Sequence, residues 1–109
     1  MQDAIKSILS IGLNDKDLEA QLVTFEEVKR TVIQLAKDVG IETFTFNECQ
    51  GVWHGDVENT LQVIIVNNNS EYKEVYKDRI KYLASELRDV LNQECIMLET
   101  QVISYVEFI

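Results

Sequence analysis

The chain has 109 residues, which is one domain with room for a single core and no need of staples. A hydrophobic content of 46% with 27% charged residues excludes a disordered chain. The net charge of −9 is spread evenly, with nine acids and five bases in residues 1–55 and ten and five in 56–109. Such a surface repels phosphate backbones, so direct nucleic-acid binding is not expected, whereas a basic protein partner would be attracted.

Two cysteines, Cys49 and Cys95, are too few for a disulfide framework. No charged-then-apolar leader opens the chain, and no apolar run is long enough to span a bilayer. The expectation is a cytoplasmic protein with free thiols and no membrane partner.

In chain order, residues 4–13 read as a strand, because Leu9, Ile11 and Leu13 alternate with Ser10 and Gly12. Asn14 to Asp17 form a polar turn. Thr24 and Glu27 have the spacing of a capping box, with Val23 and Val28 at the staple positions. Phe25, Val28, Val32, Leu35, Ala36 and Val39 then make one apolar helical stripe, and Gly40 suits the left-handed residue that ends it.

Residues 41–53 read as a second strand, with Phe44 and Phe46 alternating with polar neighbours. Asn59 to Val66 read as a third, and Val63-Ile64-Ile65-Val66 is apolar on both faces, as in a central strand. The segment Trp53 to Glu58 is then a hairpin turn. Ser70 is the expected cap of a second helix with the stripe Tyr72, Tyr76, Ile80, Leu83, Leu87 and Val90 or Leu91, ending near Asn92. Cys95 to Leu98 read as a fourth strand, and residues 102–109 as a further strand or its extension.

Strand–helix–strand followed by strand–helix–strand, joined at a hairpin, predicts an α+β fold over residues 1–109. The expected form is the ferredoxin-like βαββαβ arrangement, an antiparallel sheet with both helices on one face.

The run from Cys49 to Asn59 gathers the only Trp, the only His and two of the four Gly. Trp53, His54, Asp56, Glu58 and Asn59 are therefore the expected ligand- or partner-binding residues. Gly51 and Gly55 are explained by chain bending. His54, Asp56 and Glu58 lack the paired Cys or His of a structural zinc site, so no metal is expected. A Cys–His pair could activate a thiolate, but both cysteines fall in apolar strand contexts that favour inert, buried thiols. No phosphate-cradling motif is present, and no cofactor is expected. Catalysis would require His54 to approach Cys49, a carboxylate or a metal.

The Gly51-Val52-Trp53-His54-Gly55 turn, Glu58, the strand Val63 to Val66 and the later Gln93-Glu94 form a pattern in the C-terminal half. It is similar to one in small uncharacterised ferredoxin-like proteins of phages and bacteria. The resemblance implies a phage or mobile-element origin and no established activity.

The sequence reading is thus a non-enzymatic binding module, such as a phage-encoded inhibitor of a host defence protein acting through its acidic surface. The alternative is an oligomeric regulator or sponge that holds a small molecule or nucleotide at a subunit interface. The apolar end, Val102 to Ile109, calls for a pairing partner, and a homo-oligomer, most simply a dimer, would provide one.

Overall fold

A computed structural model describes residues 4–67, 73–104 and 106–109. The elements are β1 (Ala4–Gly12), α1 (Phe25–Asp38), β2 (Thr45–Trp53), β3 (Asp56–Asn67), α2 (Lys73–Val90) and β4 (Met97–Ile103). This order is consistent with the expected βαββαβ sequence of elements. The strands form one antiparallel sheet in the order β2-β3-β1-β4. No helix among the described residues is long and apolar enough to cross a membrane.

The period-2 pattern of the central strands sends alternate side chains into one core. Leu9 and Ile11 of β1 and Leu61, Val63 and Ile65 of β3 are buried there with Val28, Val32 and Ala36 of α1 and Ile80, Leu83 and Leu87 of α2. Both helices thus cover the same face of the sheet. Register places Leu9 opposite Val63 on one side and Leu98 on the other, so β1 is paired along both edges.

Local signals set the helix ends. The Thr24 hydroxyl accepts from the Glu27 amide, and the Glu27 carboxylate accepts from the Thr24 amide. Such caps are typically worth about 1 kcal/mol. At the other end Gly40 has φ 79°. The Ile41 amide donates to the Ala36 carbonyl and the Gly40 amide to Lys37, closing a Schellman motif. Ile41 is consequently buried beneath the helix end, and β2 begins only at Thr45 rather than at residue 41. α2 ends in the same way, with Asn92 at φ 51° and the Gln93 amide donating to the Arg88 carbonyl. Leu91, not the exposed Val90, packs on the core there. The expected cap Ser70 and stripe residue Tyr72 lie outside the described residues, and Tyr76 packs partly buried against the core.

Two expectations about the C-terminal part are corrected. β4 starts at Met97, so Cys95 is an exposed residue of the preceding turn rather than a buried strand thiol, and Cys49 is only half-buried. No second strand follows it among the described residues. The last described pair is Ala4 with Ile103, and residues 106–109 are without regular structure.

Candidate functional site

The hairpin between β2 and β3 turns in two residues. His54 has φ 51° and Gly55 φ 85°, the pair of positive values of a type I′ turn. A Cβ on Gly55 would meet nothing, so its role is conformational. Gly51 differs: it lies inside β2 with ordinary φ, opposite Glu58 in the register. A Cβ there would stand 2.9 Å from the Thr60 Oγ1, so this glycine supplies space rather than a bend. That corrects its sequence assignment.

At the tip, Trp53 remains 45% exposed. Its indole Nε1 donates to Glu94 Oε2 at 3.0 Å. The same oxygen lies 3.8 Å from His54 Nε2, and the Trp53 and His54 rings meet edge-on at 4.8 Å. One carboxylate thus joins the hairpin tip to the turn before β4. All three side chains remain open to solvent, so the contact is accessible to a ligand.

A second group lies behind this tip. The Glu58 carboxylate lies against Gly12 of β1, and its Oε2 accepts from the Asn14 amide at 3.0 Å. The Asn14 carbonyl in turn accepts from the side-chain amide of buried Gln93 at 2.8 Å. Adjacent residues Gln93 and Glu94 therefore link the two groups. They bring β1, the hairpin and the end of α2 to one end of the sheet.

The loop after β1 braces this end. Asp15 accepts from the Asn92 side chain and from the Leu18 and Asp17 amides. These bonds, the Asn92 bond foremost, hold its carboxyl below the ordinary value. The Lys16 amide also donates to the Asn92 carbonyl.

The five residues singled out from sequence therefore separate. Trp53 and His54 share one carboxylate, and Glu58 belongs to the neighbouring group. Asp56 is exposed on the turn opposite Trp53. The Asn59 side-chain amide donates to Gln21 at 2.8 Å, and its carbonyl accepts from the Leu13 amide, so it ties the loop to β3. Gln93, Glu94, Asn14 and Gly12 were not assigned from sequence. Gln93-Glu94 was visible as a motif, but its contacts were not. Among the described residues no group of three or more His, Cys, Asp or Glu is arranged to hold a metal ion.

The arrangement is an acidic, aromatic-edged end of the sheet. It can offer carboxylates to a cationic centre and a ring face to a planar group. The requirement set for a catalytic reading, that His54 approach a carboxylate, is met by Glu94.

No protein-family model and no curated protein matches the chain. Solved structures do match. A phage SAM lyase in complex with S-methyl-5′-thioadenosine aligns with a TM-score of 0.78 and 28% identity, over 96% of this chain and 85% of that one. The same kind of enzyme in its apo state aligns with a TM-score of 0.77 at 28% identity, over 95% and 84% of the two chains. This similarity to an enzyme along nearly the whole chain overturns the expectation of a non-enzymatic module and points to catalytic chemistry.

Proposed function

We propose that this protein is a lyase acting on S-adenosylmethionine, built on a ferredoxin-like fold. The observation that carries the reading is the near full-length similarity to the phage SAM lyase, at 28% identity. The strand order β2-β3-β1-β4 with both helices on one face supports the fold assignment.

The chemistry agrees with the acidic end of the sheet. S-Adenosylmethionine carries a sulfonium cation, and S-methyl-5′-thioadenosine is the same nucleoside after loss of the amino-acid arm. The bond that breaks joins the sulfur to that arm, and its electron pair goes to the sulfur, which becomes neutral. A lyase takes up no water and no oxidant, so the arm leaves either as a ring, its own carboxylate oxygen bonding the carbon that the sulfur leaves, or as an alkene, the adjacent carbon losing a proton to a carboxylate of the site. The proton spectrum of the second product tells which.

In this reading Glu58 and Glu94 supply negative potential to a cationic substrate, and the Trp53 face receives the adenine. His54 and Asp56 border the same turn, and Asn59 holds the loop beside it. The exposure of Trp53, His54 and Glu94 is compatible with closure of the site by a second copy, in line with the self-association expected from sequence.

Trp53 is the single tryptophan, so its emission reports the site directly. Titration with S-methyl-5′-thioadenosine is expected to give a saturable change in that emission. An unchanged spectrum up to millimolar ligand would contradict the site assignment.

A further inference from the structure

We infer that Gly12 is a positioning residue, whose missing side chain lets the Glu58 carboxylate lie across β1 with one oxygen fixed and the other free. The inference rests on the lyase reading for its kinetic consequence and on the structure alone for its geometry.

Gly12 needs no special backbone, because its φ is not in the left-handed region. What it provides is volume. A Cβ at this position would overlap both Glu58 carboxylate oxygens and the carbon between them, with Oε2 only 2.6 Å away. Every other residue type would therefore claim the space that this carboxylate occupies.

The carboxylate is also held. Oε2 accepts from the Asn14 amide, and Asn14 is fixed by the Gln93 side chain on its carbonyl. Gln93 is 7% exposed, so this tie is shielded from water. Among the described residues Oε1 accepts no hydrogen bond. The group is therefore held through one oxygen, while the other, which lies closest to Gly12, keeps its hydrogen-bonding capacity. Gly51 lies opposite Glu58 in the register, but the space it leaves is filled by Thr60, so Gly12 alone makes room for the Glu58 carboxylate.

Glu58 is flexible at its far end, so Gly12→Ala should displace the carboxylate without unfolding the sheet. The expected result is a drop in S-adenosylmethionine turnover of tenfold or more, read mainly in kcat, with the melting temperature within a few degrees of wild type. Glu58→Asp withdraws the carboxylate by one methylene and removes the conflict. The double variant Gly12→Ala/Glu58→Asp should therefore turn over no more slowly than Glu58→Asp alone. In nuclear magnetic resonance titrations the Asn14 amide should follow Glu58 ionisation in the wild type and not in Gly12→Ala.

Wild-type turnover in Gly12→Ala, or losses that multiply in the double variant, would overturn the inference. So would an Asn14 resonance that still follows Glu58 in Gly12→Ala. A wild-type chain that turns over no S-adenosylmethionine would overturn the lyase reading instead, and the Asn14 titration would then decide the positioning role by itself.

Discussion

Glu58→Gln is expected to lower S-adenosylmethionine turnover by about a hundredfold or more while leaving the melting temperature within a few degrees of wild type. The substitution preserves size, and the glutamine oxygen can still accept from the Asn14 amide, so the tie between β3 and the loop survives. What is lost is the negative charge of a half-buried carboxylate at the end of the sheet. Steady-state kinetics beside a thermal melt separate the two effects. Turnover within threefold of wild type would remove Glu58 from the chemistry. A large fall in melting temperature would show that the residue serves the fold instead.

The largest effect on stability is expected from Leu9→Ala. Leu9 is fully buried at the middle of a strand paired on both sides, facing α1 and α2 across the core. Truncation removes three heavy atoms from a packed interior that cannot fully collapse around the gap. Such changes typically cost about 3–5 kcal/mol. For a domain of this size that corresponds to a fall in melting temperature on the order of 10–20 °C. Urea unfolding with an unchanged slope would confirm it. A loss below about 1 kcal/mol would mean that Leu9 is not at the centre of the core.

The elements that were legible in the sequence are those fixed by local interactions. Thr24, Glu27 and Gly40 lie within a few residues of what they bond, and the structure realises the capping box and the left-handed helix end. The alternation in β1 and β3 was legible because one face meets the core and the other does not. The start of β2 was misplaced because Ile41 follows the helix in closing a Schellman motif, and its β-branched side chain carries no sign of that. The C-terminal strand was overextended because strand propensity persists past Ile103, although the described pairing with β1 ends there.

The candidate site was only half legible. Trp53, His54 and Glu58 stood out because rare and charged residues gathered at one turn. The partners of Trp53 and Glu58 are 41 and 44 residues away, at Glu94 and Asn14, and Gln93 reaches Asn14 across 79 residues. No spacing rule joins positions so far apart. The reading of Gly51 as a bend failed for the same reason, since its cause is Thr60 on the next strand.

The proposed lyase activity was not legible in the sequence, for chemical reasons. Thiolate–histidine pairs, metal ligands and phosphate cradles are the signals that a sequence displays. A substrate with a sulfonium leaving group carries its own activation, and the proposed site asks only for placed carboxylates and an aromatic face. In a chain with 19 acidic residues, two carboxylates of that kind do not stand out.

The most direct measurement is the fate of S-adenosylmethionine incubated with the purified protein, followed by liquid chromatography and mass spectrometry. The lyase reading predicts that S-methyl-5′-thioadenosine accumulates as S-adenosylmethionine disappears, in a one-to-one ratio, at a rate set by the concentration of protein above the slow spontaneous reaction. Consumption no faster than in a protein-free control would contradict it.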